Sequence, residues 1–210
     1  MGKAAAQSGR AGRKPHSPAV MTSSISLLPL DASLHADALQ RVYELSPAYW
    51  AMYHLAQAPA GQSARDLEAI ETEPGRMGLG IVAANEPGNP QAGAQLVGLI
   101  DFRLHWPDPD TAYVGILLVA EPFQRQRVGT DAWALLEPWL AAEGGVHEIK
   151  LGVEQFNPGA LRFFQSLGFT LTGEAQRIRS GKRLVRLLAM EKKLDSSGWQ
   201  PPAEETELTT

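Results

Sequence analysis

Apolar positions along the chain recur with two different periods, and the switches between them predict its elements. Ser24 to Pro29 (SISLLP) reads as a short first strand, and from Leu34 to Leu45 apolar residues return at helical spacing. Ser46-Pro47 then offers an N-cap followed by proline at the first helical position, which starts a second helix over AYWAMYHLAQ. A third helical run, Ala64 to Ile70, ends near Pro74. Met77 to Ala84 and Gln95 to His105 are strand-like and flank EPGNPQAG, so they are expected to form a hairpin. Thr111 to Ala120 (TAYVGILLVA) is continuously apolar, as a central strand covered on both faces should be.

The next segment is helical and is expected to bury Val128, Ala132, Leu135, Leu136 and Trp139, with Pro138 kinking its last turn. His147 to Glu154 is a further strand, and Asn157 to Leu167 a short helix closed by Gly168. Two strand-like runs, FTLTGEAQRI and RLLAMEKKL, finish the pattern around the turn SGK. The order β, three helices, three β, α, β, α, β, β implies an α/β (α+β) fold with a mixed sheet and helices on both faces.

Composition narrows the setting. A chain of 210 residues suits one domain, expected over 23–194. Residues 1–22 carry four Lys/Arg and no acid but lack the apolar core of a secretion signal, so a disordered extension is expected, with Met21 as an alternative start. Residues 195–210 read as a disordered acidic tail. The absence of cysteine removes thiolate metal sites and thiol nucleophiles and suits a cytoplasmic location. No apolar window is long enough for a membrane span, no His-x-x-x-His spacing suggests a metal, and a net charge of -4 argues against nucleic acid as a partner.

The chemistry concentrates at EPFQRQRVGTDAWALLEPWL, residues 121–140, where a strand gives way to a helix. A helix start leaves backbone N–H groups without partners and carries partial positive charge, which favours an anion. Arg125, Arg127, Gly129 and Thr130 there suit a diphosphate, although glutamine and arginine also fill ordinary exposed loops. Competing phosphate motifs fail. GxxxxGK[ST] is absent, and Gly78 to Ala83 fits GxGxxA only inside a strand pattern with no helix after it.

LLVAEPFQRQRVGTDAWALL resembles the acetyl-CoA motif of the GNAT N-acetyltransferase superfamily, Q/R-x-x-G-x-G/A, with Gln124 first, Arg127 where the first glycine is usual and Gly129 last. LGVEQFNPGALRFFQSLGF is similar to the family's later motif, with Asn157, Ala160, Phe163, Gly168 and Phe169 on their expected places. The resemblance implies an acyl-CoA N-acyltransferase fold of about seven strands, splayed between strands four and five, with acetyl-CoA as co-substrate and no metal. It implies that the pantetheine arm pairs with the backbone of Leu117, Leu118 and Val119. The diphosphate would meet Gln124, Arg125, Gln126, Arg127, Val128, Gly129 and Thr130, and Asn157 and Phe164 would complete the cofactor site.

The chain departs from the family at three places. Arg127 replaces a glycine, and its backbone is expected to stay in the ordinary negative-φ region, since positive φ strains a non-glycine residue by about 1–3 kcal/mol. Phe164 stands where a tyrosine often supplies the acid, and Tyr113 where many relatives carry a basic glutamate. Glu154 is the substitute base expected here, with Asp101 and His105 as alternatives and Tyr113 as a second catalytic candidate. Tyr49, Trp50 and Tyr53, crowded on one helix, are candidates for the acceptor wall or for core. Trp106 and Glu44 lie near enough in sequence to rim the same pocket. The expected function is transfer of acetyl to a primary amine of a small molecule by direct attack in a ternary complex, by a monomer or homodimer. The alternatives are acetylation of a protein N-terminus or lysine, and a non-catalytic acyl-CoA-binding module.

Overall fold

The computed structural model describes residues 25–84, 93–180 and 183–194; the two terminal segments expected to be disordered lie outside them. Among the described residues seven strands form one sheet: β1 (Ile25–Pro29), β2 (Arg76–Ala83), β3 (Gln95–Leu104), β4 (Thr111–Val119), β5 (Glu148–Glu154), β6 (Thr170–Ser180) and β7 (Arg183–Lys193). Their spatial order is β1-β2-β3-β4-β5-β7-β6. Every pairing is antiparallel except β4 with β5.

The helices divide between the two faces. α1 (Ala32–Glu44), α2 (Pro47–Met52) and α3 (Gln62–Thr72) bury Leu39, Tyr43, Trp50 and Leu67 against Leu99 and Leu118. α4 (Val128–Ala142) and α5 (Pro158–Ser166) pack on the other side, where Ile100, Phe102, Val114, Ile149 and Leu151 meet Trp133, Leu136 and Phe164. Leu99 and Ile100 point to opposite layers because successive strand residues alternate faces. That double coverage is why TAYVGILLVA has no polar stripe.

Local chemistry sets the helix ends, and two of them differ from the sequence reading. α1 starts earlier than its apolar spacing suggests, because Asp31 Oδ1 accepts the N–H groups of Ser33 and Leu34 at 2.8 and 3.1 Å. Ser46 precedes α2 as expected, but its buried hydroxyl donates back to the Val42 carbonyl at 2.8 Å and caps nothing. The Ala48 N–H is taken instead by Glu121 Oε1 at 2.7 Å. α2 is also shorter than predicted, since His54 turns to φ 62° just beyond it.

α4 buries Val128, Ala132, Trp133, Leu136 and Leu140, whereas Leu135 remains 47 % exposed. Neighbouring helical residues lie about 100° apart, so a face centred on Leu136 turns Leu135 to its rim and brings in Trp133. Pro138 lies inside α4 without ending it.

The separation of β4 from β5 follows from one residue. The two strands pair only from Thr111 with Glu148 to Val114 with Leu151. On its other edge β4 pairs Val114 with Phe102 and Ile116 with Asp101, which leaves Gly115 as an extra residue. Such a bulge bends its strand and increases the local twist. The bend begins where pairing with β5 stops, so Gly115 to Val119 and Gly152 to Glu154 part company.

Candidate active site

The gap between the parted strands is a cleft of about 90 Å³. Val114 to Leu117 and Leu151 to Glu154 form its walls, α2 contributes Tyr49 and Met52 and the residue after it Tyr53, and Asn157, Ala160 and Phe164 come from the α5 region. Of the residues singled out by sequence, the structure therefore gathers Leu117, Glu154, Asn157, Phe164, Tyr49 and Tyr53 around one space. Leu118 is 6 % exposed and packs with the α1–α3 core, so only the backbone of that residue is available at the strand edge.

The corner after β4 begins with a 3₁₀ turn, Glu121–Phe123, and runs through 124–127 into α4. Gln124 Nε2 donates to the Val119 carbonyl at 2.8 Å and so secures the end of the open strand. Gln126 Nε2 closes the loop in the same way on the Pro122 carbonyl at 2.7 Å. Asp131 N–H donating to the Arg127 carbonyl at 2.8 Å is the first helical bond, which leaves the earlier N–H groups, Val128 to Thr130, outside the α4 ladder. Gly129 matters for space: a Cβ there would lie 3.3 Å from Phe163 Cζ and 3.7 Å from Val119 Cγ2. These features, a free strand edge and a helix start with a bare glycine, fit the backbone-bonding arm and the diphosphate of an acyl-CoA.

Arg127 corrects an expectation. Its φ is 67°, with Arg125 alongside at 62°, so both occupy the left-handed region. Arg127 directly precedes α4, and the left-handed turn is what lets the loop enter the helix; its side chain is exposed, 3.7 Å from Asp131. Left-handed backbone costs a non-glycine residue about 1–2 kcal/mol, part of which glycine returns through its unfolded-state entropy. Arg127→Gly should therefore stabilise the fold by up to about 1 kcal/mol, read as a melting temperature higher by roughly 2–4 °C. A lower melting temperature would show that the arginine contributes more than its backbone costs.

On the opposite wall Glu154 accepts a hydrogen bond from the Tyr53 hydroxyl at 2.7 Å. Tyr49 packs edge to face on Tyr53 with ring centres 5.3 Å apart. Glu154 is the one carboxylate among the described residues lining the cleft. Tyr113 is half-buried against Trp106, at 5.0 Å between rings, and its hydroxyl reaches to 3.2 Å from the place a Cβ on Gly152 would take. Burial first, and then the charge of Glu154, push the Tyr113 phenol up, so it is a neutral donor rather than a base. Burial likewise raises Tyr53.

Tyr49 is pushed up to about 12 from 10.0, by burial above all. Its folded form then holds its proton more tightly than the unfolded chain does. Stability is accordingly present below pH 10 and declines between pH 10 and about 12. Urea midpoints measured across that window should fall less steeply in Tyr49→Phe than in the wild type. Parallel slopes would show that this phenol does not drive the alkaline loss.

Several sequence candidates lie elsewhere. Trp50 is turned into the core, 7 % exposed, with its indole N–H donating to the Tyr43 carbonyl at 2.9 Å. Asp101 is 4 % exposed and both its oxygens are held by Arg76, at 2.9 and 2.7 Å. His105 sits in an exposed turn with Nδ1 on the Pro109 carbonyl, and Glu44 is exposed on α1. Phe164 brings no hydroxyl; its ring packs with Phe163 and Phe169 at 5.2 and 5.5 Å. Sequence reading passed over Gly115, Met52 and Glu121. The first had a signal, a glycine amid an otherwise bulky central strand.

Among the described residues no group of three or more His, Asp or Glu could hold a metal ion, and no helix is long and apolar enough to cross a membrane.

The site is thus a mixed sheet parted beside a helix start, with a hydrogen-bonded carboxylate facing the gap. The chain matches the Acetyltransferase (GNAT) family over residues 40–169 and belongs to that family, whose members are acetyltransferases. It is similar to an acetyltransferase from Thermus thermophilus, with 27 % identity, a TM-score of 0.62 and coverage of 81 % of this chain and 97 % of that one. The ribosomal-protein-S18-alanine N-acetyltransferase from Escherichia coli shares the fold at 15 % identity and a TM-score of 0.57, covering 80 % of this chain and 93 % of its own. So does a ribosomal L7/L12 alpha-N-protein acetyltransferase in complex with coenzyme A, at 16 % identity and 0.64, over 83 % and 97 %. No curated protein matches the chain significantly.

Proposed function

We propose that this protein transfers the acetyl group of acetyl-CoA to the primary amine of a small molecule by direct attack in a ternary complex. The observation that carries the reading is the Glu154 carboxylate, fixed by Tyr53 at 2.7 Å, at the side of the cleft where the strands part. A neutral amine attacks the thioester carbonyl and forms the C–N bond. Glu154 takes the amine proton, directly or through one water. Unpaired N–H groups of β4 beyond Gly115 polarise the carbonyl oxygen as charge develops on it. The C–S bond then breaks, and the departing CoA thiolate is stable enough to leave without the phenol that Phe164 replaces. Tyr113 and Tyr53, both neutral, order the acceptor side by hydrogen bonding.

The acceptor's body has a place to go. A groove of about 430 Å³ lined by Ala51, Met52, His54, Gln155, Phe156, Leu184 and Val185 adjoins the cleft, and Met52 lines both. Among the described residues lining the groove there is no carboxylate, so an apolar monoamine suits it better than a polyamine, whose second ammonium would lose its hydration without a partner. A second reading, acetylation of a protein N-terminus, draws support from the two fold neighbours that act on ribosomal proteins.

Thiol release measured over a panel of amines tests this. Arylalkylamines should turn over with acetyl-CoA faster than spermidine, and faster than short peptides beginning with alanine or serine. Faster peptides would favour the second reading, and cofactor binding with no amine-dependent release of CoA would leave only a binding module.

A further inference from the structure

Glu121 stands at the head of the loop that carries the diphosphate corner, yet its side chain reaches away from it. Its Oε1 accepts the Ala48 N–H at 2.7 Å, and its own N–H donates to the Leu45 carbonyl at 3.0 Å. The end of α1 and the start of α2 are thus tied to one residue. α2 needs the tie: it is six residues long, it starts on a proline, and Ser46 does not cap it. A helix that short has no stability of its own in water, so its tethers set its position. α2 carries Tyr49 and leads directly into Tyr53, whose hydroxyl holds Glu154 at 2.7 Å. Phe123, between Glu121 and the loop 124–130, packs against both cores, so the loop has little freedom to shift independently of Glu121.

We propose that Glu121 is a positioning residue: it fastens α2 to the cofactor loop, so that seating a diphosphate there is transmitted through Tyr53 to the carboxylate that receives the amine proton. The proposal rests on the transferase reading for the role of Glu154, but the mechanical link itself does not. Its chemistry requires an oxygen acceptor at position 121 and not a charge.

The chain has four tyrosines, which makes ¹³C-tyrosine labelling legible, with Tyr53 identified by the signal lost in Tyr53→Phe. The probe is adenosine 3′-phosphate 5′-diphosphate, the nucleotide half of coenzyme A, which lacks the arm that would enter the cleft. In the wild type it should move the Tyr53 ring signal. In Glu121→Ala calorimetry should still register binding while the Tyr53 signal no longer responds, and Glu121→Gln, which keeps the accepting oxygen, should restore the response. With acetyl-CoA and amine saturating, Glu121→Ala should lower kcat by roughly tenfold, and adding Tyr53→Phe should cost little more, because both break one path. An unchanged Tyr53 response in Glu121→Ala overturns the proposal, as do additive losses in the double variant. If no amine releases CoA but the Tyr53 response still depends on residue 121, the link stands and the transferase reading falls. Failure of the wild type to bind the nucleotide at all overturns both.

Discussion

Glu154→Gln should lower kcat by about 10²- to 10³-fold, the usual contribution of a positioned general base. That loss is about 2.7–4 kcal/mol of transition-state stabilisation. The change is nearly isosteric, and glutamine can still accept from the Tyr53 hydroxyl, so the fold and the affinity for acetyl-CoA should stay close to wild type. What disappears is the group proposed to take the proton from the nitrogen. The variant's rate should then climb steadily with pH as more of the amine arrives already neutral, where the wild type levels off. Steady-state thiol release against pH measures this. A variant with wild-type kcat would remove Glu154 from the chemistry and return attention to water alone.

The second large effect concerns stability. Asp101→Ala leaves Arg76 half-enclosed with, among the described residues, Glu73 alone, at 3.0 Å, to answer its charge. Breaking a buried pair from one side costs about 3–5 kcal/mol, and the lower end applies because the Arg76 side chain is 23 % exposed. For a domain of this size, about 3 kcal/mol corresponds to a melting temperature lower by roughly 6–12 °C. The damage should reach the site, since Asp101 pairs with Ile116 beside the bulge and its carbonyl oxygen lies 3.7 Å from the position of a Cβ on Gly115. Asp101→Asn keeps one oxygen for the guanidinium and should lose less. Equal melting temperatures for wild type and Asp101→Ala would mean that the pair is not what holds β2 to β3 there.

Much of this architecture could be read from the chain because local and global signals agree. β4 is apolar throughout and is buried on both faces; Asn157 caps α5 through its Oδ1 on the Ala160 N–H at 3.1 Å, and Gly168 leaves the helix at φ 92°. The corner after β4 was legible as a strand end, loop and helix start for the same reason, since these are adjacent in sequence. The Tyr53–Glu154 side of the cleft was not. Tyr53 and Glu154 lie 101 residues apart, and nothing local to either says that they meet. Trp50 lies on the short α2 and Tyr53 directly after it, yet one fills the core and the other faces the cleft, which periodicity over so few residues cannot decide. Arg127 misled for another reason: strain was weighed at that residue alone, whereas the chain's entry into α4 demands the left-handed turn whatever side chain is present.

The bulge at Gly115 has one more effect. By ending the β4–β5 ladder early, it creates two bare strand margins in the interior of the sheet instead of at its rim. A margin at the rim invites a neighbouring chain to add itself. Here Tyr49 and Tyr53 line the opening, and its volume of about 90 Å³ is too small for a full strand with its side chains. The backbone left bare by the bulge is thereby kept away from the sheet's exposed rim.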